Sequence, residues 1–251
     1  MMPEHNFFHV AGVDGCKAGW CVAIISATLS SRPPAPCVYR LRDVSIASTF
    51  AVVLSKTKDC KLVCIDMPIG LSNGDRPRQC DIAARRLLSG KRASSVFPAP
   101  IRPCLSAEDY EKASRTSFEH SGKKLTRQSF ALLKKIRQVD DLMTPELQGR
   151  VREIHPEVSF WVLNGKQPIQ HSKRTAPGQA ERHRLLQEVV ADMEGVFAQV
   201  PAHGYSKDDA LDALTAAWTA GQAVIGKTTT LPEKPEIDGK GLRMEILCPI
   251  R

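Results

Sequence analysis

His9-Val10-Ala11-Gly12-Val13-Asp14-Gly15-Cys16-Lys17-Ala18-Gly19-Trp20 decides the reading of this chain. Residues 9–14 are apolar until they stop at an acid and a glycine, which is the signature of a strand ending in a turn. A second apolar run, 20–25, starts after only five turn residues. Strands joined so tightly must be antiparallel, because a parallel pair needs a long crossover. Residues 38–41, after the proline-rich turn at 32–36, give a third strand. A helix is expected over 45–55, with Ser45 or Ser48 as its cap.

Further on, Leu62-Val63-Cys64-Ile65-Asp66 is a continuous apolar run that also ends at an acid. Its lack of alternation suits a strand buried on both faces of a layered sheet, and Pro68 and Gly70 then turn the chain away. Helices are expected at 78–88, 107–120 and 126–142, with a proline-punctuated loop at 93–103. A fifth strand is expected at 151–160, broken by Pro156, then a long helix at 178–199 and another at 207–225. The tail from 229 to 240 is polar, and 242–247 suits a short final strand.

This order predicts an α/β fold: a mixed five-stranded sheet, made of a three-strand antiparallel meander plus parallel strands, flanked by helices. A meander followed by crossovers onto parallel strands is the RNase H-like arrangement. At 251 residues the whole chain, 1–251, reads as one domain with a basic helical insertion at about 76–142. The 42% apolar and 25% charged content is that of a globular chain and excludes disorder as its resting state. No run reaches the roughly 18 apolar residues of a membrane span. The first residues, MMPEHNFF, lack an export pattern, so a cytoplasmic location and no membrane partner are expected. The eight cysteines form no close pair of the kind structural zinc uses, and are read as buried free thiols.

The formal charge of +8 is concentrated: residues 76–137 hold 15 Lys and Arg against 5 Asp and Glu. A block of that kind suits a polyanion-binding face, or else a solvated helical surface. Arg85, Arg86, Lys91 and Arg92 are the candidate phosphate contacts within it. Lys173, Arg174 and Arg182 flank a helix start and form a second candidate clamp. Phe97 and Trp20 are considered for base stacking, although aromatics so sparse more often serve the core.

Four acids stand out by position. Asp14 and Asp66 end two strands, and ligand sites of α/β sheets lie beyond the carboxyl ends of strands. Asp209 and Asp212, three apart in DDALDALTAAW, share one helix face. Carboxylates gathered there repel one another unless a cation joins them, and hard divalent cations such as Mg²⁺ prefer carboxylate oxygen. Two ions roughly 4 Å apart activate water and stabilise a leaving oxygen in phosphodiester hydrolysis. Each acid also has a local reading: Asp14 and Asp66 as turn formers, Asp208 and Asp209 as helix caps. Glu157, on the strand kinked at Pro156, is a fifth candidate, as ligand or base, or an ordinary surface acid. His155 beside it is read as a structural histidine with a proton-shuttling role left open.

The segments AGVDGCKAGWCVA, CIDMPIGL, RASSVFPAP, REIHPEVSFWVLNG, SKRTAPGQAER and DDALDALTAAW resemble those of the family catalogued as domain of unknown function 429. The resemblance runs from about residue 10 to 220 and implies a predicted nuclease of RNase H-like fold. The acids are also similar in placement to the metal-binding set of RuvC-type resolvases, which lie on the first strand, on the fourth strand and paired on the last helix. That likeness implies Asp14, Asp66, Asp209 and Asp212 as ligands of Mg²⁺ or Mn²⁺, with Asp66 shorter than the resolvases' usual Glu. The expected activity is metal-dependent hydrolysis of DNA or RNA. Two alternatives stay open. One is a nucleic-acid-binding protein without turnover. The other is an actin- or sugar-kinase-like phosphotransferase, for which Gly12-Val13-Asp14-Gly15 is similar to a phosphate loop but no second such loop follows.

Overall fold

A computed structural model describes residues 7–29, 37–194 and 204–250. Its main sheet holds β1 (Phe7–Cys16), β2 (Gly19–Thr28), β3 (Val38–Ala47), β4 (Val63–Ile65), β5 (Val151–Glu153) and β6 (Val190–Ala191), in the order β5-β4-β1-β2-β3-β6. The meander β1-β2-β3 is antiparallel, while β4 runs parallel to β1 and β5 parallel to β4. The expected α/β architecture is therefore present with one strand more than the sequence predicts. That strand, β6, is two residues long and adds to the free edge of β3. A second sheet pairs β7 (Thr228–Ile237) with β8 (Arg243–Pro249) in the region read as a polar tail and a short strand.

The helices are α1 (Phe50–Lys56), α2 (Gln79–Leu88), α3 (Tyr110–Ser121), α4 (Arg127–Leu142), α5 (Pro156–Leu163), α6 (Ala176–Gln187) and α7 (Lys207–Val224). Helix α1 starts later than expected, because β3 continues to Ala47 and the Thr49 hydroxyl, not Ser45 or Ser48, accepts the capping bond from Val52 N. The predicted strand at 151–160 is a larger correction. Only Val151–Glu153 is strand, and Pro156 occupies the first turn of α5, where its missing N–H costs nothing. Helix α6 ends at Gln187, twelve residues short of the predicted 199; residues 195–199, like the turn at 32–36, lie outside those described. Among the described residues no helix is long and apolar enough to cross a membrane.

Two cores sandwich the main sheet, and the pleat of β1 shows which is which. Val10 belongs to the core under α5, α6 and α7, whereas Ala11 and Val13 belong to the core under α1, α3 and α4. Even-numbered β1 residues thus face α7. Gly12 sits on that face, where a Cβ would lie 2.0 Å from Ala213 O and 2.1 Å from Ala217 N. A glycine is needed because α7 approaches the β1 backbone directly. All eight cysteines are buried and free, as the sequence suggested.

Candidate acidic site

Backbone register puts the strand acids together. Gly12 pairs with Cys64 and Val13 with Ile65, and Asp66 N donates to Val13 O at 2.9 Å, so Asp14 and Asp66 continue side by side off the strand ends. Both lie on the α7 face by parity, since Cys64 shares the core of α7. The close contact of Gly12 with Ala213 and Ala217 then fixes α7 so that Asp212, just N-terminal of that contact, comes down beside them. These carboxylates line a cleft of about 510 Å³ together with Asp208, Asp209, Glu157, His155 and Lys173.

Electrostatics in the cleft are strained. Asp14 is 8% and Asp212 1% exposed. Burial, then the Asp66 and Asp212 charges, push the Asp14 carboxyl well above the usual range. Burial raises Asp66 as well, with His155 and Lys173 opposing. Asp212 is pushed up to about 6, again mainly by burial and against the pull of Lys173. The Lys173 ammonium donates to Asp212 Oδ2 at 2.5 Å, and its own pKa is raised, chiefly by Asp212. Asp212 Oδ1 is buried with no hydrogen-bond partner. Asp14 Oδ1 accepts from Gly15 N at 2.7 Å.

The remaining candidates divide. Asp209 forms the capping box of α7 with Ser206, its Oδ2 accepting from Ser206 N at 2.7 Å, so the cap reading holds for that oxygen while the residue still lines the cleft. Asp208 accepts from the Ser206 hydroxyl at 2.9 Å. Glu157 is neither on a kinked strand nor on the surface. It lies in the first turn of α5, buried, and is ion-paired to the fully buried Arg182.

Arg182 also donates to the carbonyls of Gly178 (3.1 Å) and His171 (3.2 Å), and Arg92 donates to Ile169 O (2.8 Å) and His171 O (2.6 Å). These two arginines therefore anchor the loop that carries Lys173. Arg85 donates to Val96 O at 2.5 Å. Arg86 and Arg174 are exposed and make no ion pair among the described residues; of the two, Arg174 lines the cleft. The side chain of Lys91 lies outside those described. Trp20 is wholly buried and donates to Gln138, whereas Phe97 is half-buried on the cleft wall.

Sequence reasoning missed a second acidic group. Cys80, Asp81 and Glu153 bring ligand atoms within 4.8 Å of one another, and no three of the predicted acids do so among the described residues. The Arg78 guanidinium already fills that group, pairing with Asp81 at 3.0 Å and with Glu153, while burial pushes the Cys80 thiol up and keeps it protonated. Ile69 N donates to Glu153 at 2.7 Å and Arg78 donates to Ile69 O at 3.2 Å. The network thereby clamps the turn that follows Asp66. Its only sequence signal was an arginine inside a segment already read as basic surface.

The donors of the cleft are of the type a hard cation prefers, carboxylate oxygens in mutual repulsion with one buried oxygen unpaired, but no three of them lie within 4.8 Å of one another, so an ion would have to draw them together. Asp14, Asp66 and Asp212 would hold such an ion, with Asp209 at the rim. No curated protein and no solved structure matches the chain. Residues 12–237 match the family described as "Protein of unknown function (DUF429)", and the chain belongs to that family.

Proposed function

We propose that the protein is a divalent-metal-dependent hydrolase of nucleic-acid phosphodiesters, built on an RNase H-like sheet. One observation carries this reading: Asp14, Asp66 and Asp212 are held together with raised carboxyl pKa values, and Asp212 Oδ1 is buried and unpaired. A fold retains such repulsion where a ligand relieves it. A bound Mg²⁺ or Mn²⁺ would activate water and offset charge on the leaving oxygen. The protein's own groups orient the reaction. The Arg78–Glu153 network holds the turn after Asp66, the Arg92 and Arg182 anchors hold Lys173 against the acids, and His155, which lines the cleft, is the candidate for a proton-shuttling role. The meander with parallel strands beside it supports the RNase H-like assignment.

The ammonium of Lys173 on Asp212 favours a second reading, a nucleic-acid-binding protein whose acids are neutralised from within. Labelled DNA and RNA, single- and double-stranded, incubated with Mg²⁺, Mn²⁺ or EDTA, separate the two. Metal-dependent cleavage that disappears in both Asp14→Asn and Asp212→Asn supports the hydrolase. Binding without cleavage on every substrate overturns it and leaves the binding protein.

A further inference from the structure

The basic residues between positions 76 and 137 divide by what they touch. Arg78, Arg85, Arg92, Arg102, Lys135 and Arg137 donate to carboxylates or carbonyls of the protein itself, and Arg76 pairs with Asp75 and Glu236. Most of the remainder gathers on α3, α4 and the turn between them: Lys112, Arg115, Lys123, Lys124, Arg127 and Lys134 are all exposed, against only Glu111 and Glu119 over residues 110–134. Arg127 reaches Glu111 at 3.9 Å, with both side chains open to solvent, where such a pair contributes little. Lys134 makes no ion pair among the described residues.

Helix α4 is at the same time a wall of the acidic cleft, through Gln128, Ala131 and Leu132. Arg127 and Lys134 lie four residues before and three residues after Ala131, so the three share one exposed stripe. The stripe has a fixed aspect because the helix is tied down: Ser129 Oγ donates to Pro98 O at 2.9 Å, Lys135 Nζ donates to Gly19 O at 2.6 Å, and Gln138 Oε1 accepts from Phe50 N at 3.0 Å. The Arg127 guanidinium carbon stands 3.7 Å over the centre of the Tyr110 ring. Stacking engages the face of the guanidinium and leaves its N–H edge for an acceptor. Arg174 answers from the other side. It is exposed, lines the cleft and makes no ion pair among the described residues. Helix α4 packs on the sheet face of Ala11 and Val13, whereas α6, which follows Arg174, packs on that of Val10. Positive charge therefore flanks the acids from both faces of the sheet.

We propose that Arg127 and Lys134 on α4, with Arg174 across the cleft, are the phosphate contacts that lay a nucleic-acid backbone over the acids. A single phosphate needs only one of these cations. Arg127 and Lys134 are seven residues apart, about 10 Å along the helix, which suits a ligand whose anionic groups repeat. This track rests on the hydrolase reading for the phosphate above the acids, and it places backbone binding on α4 instead of on Arg85 and Arg92, whose donors are taken.

Fluorescence anisotropy in EDTA over a salt series tests it, with a labelled 20-mer of DNA and of RNA, each as single strand and as duplex. For the form bound most tightly, Arg127→Gln, Lys134→Gln and Arg174→Gln should each lower the slope of log K against log salt by about 0.7–0.9, and affinity at 0.1 M salt by roughly five- to eightfold. The Arg127→Gln/Lys134→Gln pair should show about twice the loss of slope. Lys58→Gln is the control: this exposed lysine precedes β4, at the end of the sheet away from the acids, and its loss should leave the slope unchanged. Absence of binding to every form, an unchanged slope in the folded double variant, or an equal effect of Lys58→Gln overturns the track. Displacement of the oligonucleotide by poly-glutamate at equal charge concentration overturns it too, since the stripe would then serve an acidic protein. Metal-dependent cleavage retained in any of these cases leaves the hydrolase reading standing. Binding with the expected slopes but no cleavage of any form overturns the hydrolase reading and leaves the track.

Discussion

Replacing Asp212 by Asn should stabilise the metal-free protein. The folded carboxyl is pushed up to about 6, against 3.8 for the unperturbed group. Between those two values the folded state binds more protons than the unfolded one, so stability falls as pH rises from about 4 through about 6 and then levels off. The difference of about two units corresponds to roughly 3 kcal/mol lost above pH 6. The pull of Lys173 is already contained in that figure, and its ammonium keeps Asp14 and Asp66 as neighbours when Asp212 loses its charge. A gain of about 2–3 kcal/mol at pH 8 is expected, or roughly 4–12 °C in Tm for a chain of this size. Asp14 and Asp66 are shifted in the same direction, so the variant should keep part of the slope but lose the share between pH 4 and 6. The assay is thermal and urea denaturation by circular dichroism in EDTA from pH 4 to 8. An Asp212→Asn protein no more stable than its parent at pH 8, with an unaltered slope, would refute the claim that this carboxylate is held at a cost. Adding Mn²⁺ should reverse the order, since a ligand that binds the folded parent stabilises it by mass action.

Other expectations follow from the same contacts. Lys173→Met removes the ammonium that competes for Asp212, so calorimetry should find Mn²⁺ bound about tenfold more tightly, equivalent to about 1.4 kcal/mol; weaker binding would contradict a competing role. Arg182→Met leaves Glu157 buried without its partner and should cost about 3–5 kcal/mol in urea unfolding, whereas loss of under 1 kcal/mol would mean the pair is solvated. Gly12→Ala drives a methyl into the backbone of α7 at Ala213 and Ala217 and should leave little folded protein in solution by gel filtration. A well-folded variant would show that α7 does not lie on β1.

Asp14 and Asp66 were legible because strand ends and turns are local signals, and register follows once β1 and β4 are known to be parallel. Their pairing with Asp212 was legible only as a pattern of spacing. What seats α7 is Gly12, which the sequence shows only as one residue of the first strand and as part of a segment similar to a phosphate loop. The segment after Glu153 went wrong for a physical reason. Val158, Phe160, Val162 and Leu163 are all buried, so α5 shows no polar face and no 3.6-residue period, and Pro156 looks like a strand breaker when it is a helix start. The C-terminal hairpin was obscured in another way, because most of β7 is at best half-buried and polar residues there give no clean alternation.

Charge was the least reliable guide, and the reason bears on function. The 76–137 block suggested a cationic face, yet Arg78, Arg85, Arg92, Arg102 and Arg137 turn toward carboxylates or backbone carbonyls of the protein itself. Arginine suits that work because its planar fork satisfies several acceptors at once. Two of the fixed points bear directly on the acids: Arg78 with Glu153 on the turn after Asp66, and Arg92 with Arg182 on the loop of Lys173. Carboxylates kept in mutual repulsion need surroundings that do not relax, since relaxation would spread them apart and relieve the strain. The inward arginines supply that rigidity. Two of the fifteen basic residues that sequence alone would assign to a cationic face, Arg78 and Arg92, instead brace the turn and the loop beside the acidic cleft.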